Sequence, residues 1–379
     1  MKLLPVYALL DIELVKGLGS SVWDSSGVQY LDLYGGHAVV SIGHSHPTYV
    51  QAISKQVATL GFYSNSVRIR LQEEVAEQLG RMSGYDDYRF FMCNSGAEAN
   101  ENAMKVASFA TGRKRIVAFD KAFHGRTSLA VATTDNPGIV APVNATSNVV
   151  FTPLNDAEAL ERVLAAGDVA AVIIEGIQGV AGVRMPTDEF LRDIGRLCKT
   201  HGALLILDEV QSGCGRTGRY FAHQWSGIHP DLITIAKGIG NGFPVGGLLV
   251  HPDIDVHEGM LGTTFGGNHL ACAAMKAVFD VIDQDNLQAH AQHVGNHVMS
   301  RCRNLPFVHE VRGRGLMIGL ELDRPSGSVR NALLKHHRIL TGNASQTNTI
   351  RVLPPLNITV EELDRFVDAL VDVCTMEFA

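Results

Sequence analysis

Between about residue 48 and residue 264 the chain repeats one pattern: short uninterrupted apolar runs alternate with segments of helical period. Ala203-Leu-Leu-Ile-Leu is the clearest such run. No polar residue recurs at every second position, so a strand here must be covered on both faces. Phe90-Phe-Met-Cys, Arg115-Ile-Val-Ala-Phe, Val149-Val-Phe, Ala170-Ala-Val-Ile-Ile and Asp231-Leu-Ile-Thr-Ile share this character. Helical patterns over 97–110, 154–165 and 189–201 lie between them. The alternation predicts an α/β fold built on a large, mainly parallel sheet. Ligands of such sheets bind beyond the carboxyl ends of the strands, so the chemistry is expected there.

The remainder has a different character. Val308 to Leu322 looks like two strands joined through glycines, and Ser21 to Asp32 like a hairpin. Thr359-Val-Glu-Glu has capping-box spacing and opens a helix with Leu363, Phe366, Val367 and Leu370 on one face. We therefore expect a large domain over 48–264 and a smaller α+β domain over 265–379, joined by residues 1–47. The apolar N-terminal stretch lacks a sustained apolar region or cleavage signal and is expected to belong to the mature fold. The net charge of -7 offers no basic footprint for nucleic acid. The longest apolar stretches are too short to span a bilayer. Six scattered cysteines without a Cys-x-x-Cys pair fit reduced, buried thiols in a cytoplasmic protein.

Chemistry enters at the strand ends. Lys237 sits in Ile235-Ala-Lys-Gly-Ile-Gly-Asn-Gly, where apolar neighbours and glycines disfavour its ammonium and free its amine. Asp208 ends the run Leu204 to Leu207. A carboxylate there can pair with a protonated pyridine nitrogen, and the lysine can hold an aldehyde cofactor as a Schiff base. Gln211 could donate to a phenolic oxygen of the same ring. Asn94-Ser-Gly-Ala-Glu-Ala follows a strand and opens a helix, which makes a phosphate cradle of Ser95, Gly96 and Ala97. Ser95 and Glu98 equally have the spacing of a plain capping box. Phe123-His-Gly-Arg offers an aromatic face beside Arg126, and Thr263-Thr-Phe-Gly-Gly-Asn offers two hydroxyls.

Two motifs mislead. Gly213-Cys-Gly-Arg-Thr-Gly matches G-x-G-x-x-G, yet no helix start follows and the next acid is Asp231. Gly43-His-Ser-His-Pro has no carboxylate or thiol beside it in sequence, so packing is expected and no metal.

Taken together, Ser95-Gly-Ala-Glu-Ala, Phe123-His-Gly-Arg, Asp208-Glu-Val-Gln, Lys237 and Thr264-Phe-Gly-Gly-Asn resemble, in this order, the class III pyridoxal-phosphate aminotransferases. The acetylornithine and succinylornithine branch is most similar. The resemblance runs from about Leu14 to the C-terminus and takes in Gly43-His-Ser-His-Pro and Arg351-Val-Leu-Pro-Pro-Leu. It implies fold type I and pyridoxal 5'-phosphate, with Lys237 as the Schiff-base lysine and Asp208 at the pyridine nitrogen. It further implies Phe123 and Val210 on the two ring faces, Gln211 at the ring oxygen, and Ser95, Gly96 and Ala97 at the phosphate. Thr264 would reach the phosphate of a neighbouring subunit, which implies a homodimer with shared sites. Thr263 would lie near the substrate, Arg126 would grip its α-carboxylate, and Arg351 would bind glutamate or 2-oxoglutarate. The implied reaction moves the δ-amino group of N-acetylornithine or N-succinylornithine to 2-oxoglutarate, in arginine biosynthesis. Ornithine or 4-aminobutyrate aminotransferase activity and aminomutase activity are the alternatives.

One departure stands out. Relatives commonly carry Glu-Pro-Ile-Gln-Gly-Glu-Gly-Gly, where this chain has Glu175-Gly-Ile-Gln-Gly-Val-Ala-Gly. The glutamate that would pair with Arg351 is Val180, which should leave Arg351 free for anionic substrates. A neutral or anionic acyl tail fits this better than a cationic ornithine tail.

Overall fold

The structure, a computed structural model, describes residues 1–376. Its centre is a seven-stranded sheet in the spatial order Arg89–Cys93, Gly246–Val250, Leu232–Ala236, Leu204–Asp208, Val169–Glu175, Arg115–Phe119, Val149–Thr152. Every residue of Val169–Glu175 and of Leu232–Ala236 is buried, as uninterrupted apolar runs require. Helix Gly96–Thr111 supplies Ala103, Met104 and Ala107 to one core cluster, with Ile116, Ile173 and Ile206 of the strands. Helices Ala157–Leu164 and Asp188–His201 supply Leu160, Leu164, Phe190 and Ile194 to another, with Val117, Val172 and Leu205. Alternate residues of each strand thus face different clusters, and both faces are dry.

Gly246–Val250 is the strand that sequence reasoning missed. It runs antiparallel to both neighbours. Its two glycines dilute the apolar signal, yet both are required. A Cβ on Gly247 would meet the Phe90 ring at 2.3 Å, and one on Gly246 the Ser95 carbonyl oxygen at 2.5 Å.

The flanking parts follow their patterns. Val308–Arg314, Met317–Leu322 and Thr349–Val352 form an antiparallel three-stranded sheet. The N-terminal hairpin strands Ser21–Asp24 and Gln29–Asp32 share a four-stranded sheet with Ile339–Leu340, so the two ends of the chain meet. Thr359 and Glu362 close the expected capping box, each backbone amide donating to the other side chain at 2.9 and 3.2 Å. Leu363, Phe366, Val367 and Leu370 are buried on the following helix. The six cysteines are buried and unbridged, and no helix among the described residues is long and apolar enough to cross a membrane.

Residues 1–13 have no helix or strand, and Leu3, Leu4, Tyr7 and Leu9 are more than four-fifths exposed. This arm finds no apolar surface on its own chain.

Candidate active site

Three strands carry acid, acid and base to one end of the sheet. Leu204–Asp208 ends in Asp208, which is 4% exposed. Its Oδ2 accepts from His124 Nδ1 and from Asn100 Nδ2, both at 2.7 Å, and its Oδ1 accepts from the Val210 amide at 3.0 Å. Asn100 is itself oriented: Thr234 Oγ1 donates to its Oδ1 at 2.6 Å, and its Nδ2 also donates to the His124 carbonyl at 2.7 Å. A buried carboxylate with three donors is fixed in position.

Beside it, in register, Val169–Glu175 ends in Glu175. This carboxylate accepts from the amides of Phe123 at 3.0 Å and Gly179 at 2.9 Å. Burial nonetheless pushes its pKa up to about 7, helped by the charge of Asp208 and opposed by His124. Between about pH 4.5 and about 7 the unfolded chain has lost this proton while the folded chain keeps it, so stability falls as pH rises through that window. The wild type should therefore lose up to about 3 kcal/mol relative to Glu175→Gln across it, read by denaturant melts at several pH values.

Lys237 follows the strand Leu232–Ala236 directly. Its φ is 49°, left-handed backbone that costs a non-glycine residue about 1–2 kcal/mol. The Gly240 amide, donating to the Lys237 carbonyl at 3.0 Å, and Ser41 Oγ, donating to the Gly238 carbonyl at 2.6 Å, hold the turn. Strain maintained this way marks a functional position. Burial lowers the pKa of the amine; Asp208 and Glu175 oppose that, and Arg351 adds to it.

These groups face a cavity of about 370 Å³. Ser95, Gly96, Ala97, Phe123, Arg126, Val210 and Gln211 line it together with Asp208 and Lys237. Ser95 is the N-cap of helix Gly96–Thr111: its Oγ accepts from the Glu98 amide at 3.2 Å and donates to Glu98 Oε2 at 3.0 Å. The side chain thus caps the helix, while the amide that Glu98 Oε2 takes in return is that of Asn94, at 3.0 Å. The Gly96 and Ala97 amides have no acceptor among the described residues, so the helix start keeps donors for an anion. A Cβ on Gly96 would meet Val210 at 2.7 Å, which is why a glycine stands there.

Three expected residues lie outside this lining. Thr263 accepts from Asn94 Nδ2 at 3.2 Å and from the Gly266 amide at 3.1 Å, and Thr264 is exposed. Arg351 is 3% exposed and adjoins the cavity through Gln211, whose Oε1 lies 3.5 Å from its Nη1. Gln211 is thereby engaged, since its Nε2 also donates to the His37 carbonyl at 3.0 Å. Arg351 further donates to Tyr34 Oη at 3.2 Å and to the Asn343 carbonyl. No carboxylate among the described residues lies within ion-pair distance of it. Val180 lines the cavity where an acid was missed in the sequence.

No helix starts at Gly213–Gly218; buried Arg216 there donates to the carbonyls of Leu316 and Pro354. His44 Nε2 pairs with Asp32 Oδ2 at 2.8 Å. Asn100, His124 and Glu175 are the site residues that sequence reasoning overlooked. Only the adjacency of His124 to Phe123 hinted at one of them.

A lysine amine, a carboxylate held by three donors and a helix start with free amides surround one cavity, and comparison with known families gives the class. The profile of the family described as aminotransferase class-III matches residues 6–374, and the chain belongs to this family. Among its relatives, the acetylornithine aminotransferase of Corynebacterium efficiens is 42% identical, covering 98% of this chain and 94% of that one. The acetylornithine aminotransferase of Bacillus subtilis is 39% identical over 97% and 96%. Of solved structures, the acetylornithine aminotransferase of Elizabethkingia anophelis is 31% identical with a TM-score of 0.85, covering 98% and 96%. The ornithine aminotransferase of Toxoplasma gondii is 29% identical with a TM-score of 0.91, covering 99% and 93%.

Proposed function

We propose that this enzyme transfers the δ-amino group of an N-acylated ornithine to 2-oxoglutarate, using pyridoxal 5'-phosphate. The observation that carries the reading is the pairing of Lys237 and Asp208 at adjacent strand ends around one cavity. Relatives named for acetylornithine at about 40% identity over nearly the whole chain support the substrate class.

The residues present fit the cofactor. The Gly96 and Ala97 amides would take its phosphate, Phe123 and Val210 its ring faces, and Asp208 its ring nitrogen. When bound, the cofactor supplies an aldehyde that captures the substrate amine and a ring that accepts the electron pair left on carbon. Lys237 Nζ, with its pKa lowered by burial, can leave its ammonium form and move a proton between carbon atoms as base and then acid. Asp208, held in place by His124 and Asn100, would face the ring nitrogen and favour its protonated form. Arg126, exposed at the cavity, would grip the α-carboxylate of the amine donor. Buried Arg351, with neutral partners only, would take a carboxylate of glutamate or 2-oxoglutarate.

A second copy of the chain completes this picture. Thr264 is exposed beside Phe265, which is 60% exposed and packs on Phe62 at 5.5 Å. Leu60, Tyr63 and the N-terminal leucines add apolar surface of the kind an interface covers. The homodimer would place Thr264 at its partner's phosphate. Six buried, unbridged cysteines agree with a cytoplasmic enzyme, and the reaction suits arginine biosynthesis.

Half-reactions of the cofactor-loaded enzyme with N-acetylornithine, N-succinylornithine and ornithine test the reading. The acylated amines should bleach the visible cofactor absorbance at least about tenfold more efficiently than ornithine, because a second cation near Arg351 is disfavoured. Equal or faster reaction with ornithine would contradict it.

A further inference from the structure

Residues Gly35, Gly36, His37 and Ala38 all have positive φ, at 53°, 56°, 71° and 63°. Two of them are not glycine, so the turn carries strain that its surroundings must hold. Asp32 Oδ1 accepts from the amides of Tyr34 and Gly35, both at 2.9 Å. Gln211 holds the His37 carbonyl, and a Cβ on Gly35 would meet the Leu353 carbonyl oxygen at 3.0 Å. The turn delivers the His37 ring to Tyr34, whose hydroxyl meets His37 Nδ1. Tyr34 in turn lies against Arg351, with the guanidinium 5.6 Å from its ring centre. Gly342 makes room for this, since a Cβ there would meet the Tyr34 ring at 2.4 Å.

The hydrogen bonds run one way. Arg351 can only donate, so its Nη2 donates to Tyr34 Oη. The Tyr34 proton then needs an acceptor, and His37 Nδ1 is the one it reaches. An acceptor at Nδ1 puts the imidazole proton on Nε2. His37 is also electrostatically coupled to Arg351 and Lys237, and with burial their positive charges lower its pKa and favour the neutral ring.

We propose that His37 is a specificity-determining residue, its Nε2–H donating to the carboxylate that Arg351 takes from glutamate or 2-oxoglutarate. A buried arginine whose partners are all neutral asks for an anion. A donor fixed by the same arginine through Tyr34 adds a directed hydrogen bond to it. The inference rests on the function proposed above.

In a ping-pong reaction each substrate's kcat/KM reports its own half-reaction, so the two can be separated. The test is the ratio of kcat/KM for 2-oxoglutarate to kcat/KM for N-acetylornithine. His37→Ala, whose backbone matches that of neighbouring Ala38, should lower this ratio about tenfold, the worth of one good hydrogen bond to a charged group. His37→Asn, which tolerates left-handed backbone and lacks the imidazole Nε2–H while leaving Tyr34 and Arg351 in place, should lower it in the same direction and carries the test if the alanine variant does not fold. An unmoved ratio, or equal loss for both substrates, overturns the proposal. A wild-type enzyme inert towards both substrates would instead overturn the functional reading on which it rests.

Discussion

Lys237→Ala should lower turnover by about four orders of magnitude or more while leaving the protein folded. On the proposed function the amine at this position is both the attachment point and the proton carrier, and no other lysine among the described residues lines the cavity to substitute for it. Stability should not fall with activity. Burial depresses the pKa of this amine, so the charged form is costly in the folded state, and alanine removes that cost. The cofactor-free variant should melt at or above the wild-type temperature, as is common when a functional residue is removed. Turnover measured with an acylated ornithine and 2-oxoglutarate, beside a melting curve, decides the matter. Near-normal turnover would refute the assignment.

Asp208→Asn should lower kcat at least about a hundredfold and weaken cofactor retention, although the side chain scarcely changes size. Oδ2 receives two donors and Oδ1 receives one. Asparagine has one oxygen, so either orientation turns its NH2 group towards an N–H that already needs an acceptor. The mutation also removes the negative charge that keeps the ring nitrogen protonated. Equilibrium dialysis of the cofactor and steady-state kcat would show the two losses separately. Full activity with ordinary cofactor affinity would mean that the acid merely supports the loop after its strand.

Uninterrupted apolar runs made the parallel strands legible, because burial on both faces leaves a one-dimensional signature. Gly246–Val250 carries the same burial but begins with two glycines demanded by Phe90 and Ser95, and that demand exists only in three dimensions. Lys237 and Asp208 were visible because they terminate runs. Asn100 and His124 were not, since they reach Asp208 across 108 and 84 residues. Tyr34 reaches Arg351 across 317. Ser95 offered two readings, and each describes different atoms: the side chain caps the helix, while the next two amides stay available. The exposed N-terminal arm, read as part of the fold, has no partner surface within a single chain.

Borohydride reduction of the cofactor-loaded enzyme, followed by proteolysis and mass mapping, should find one cofactor per chain, bound irreversibly and confined to the peptide containing Lys237. Cofactor that dialyses away after reduction, or that maps to another lysine, would contradict it.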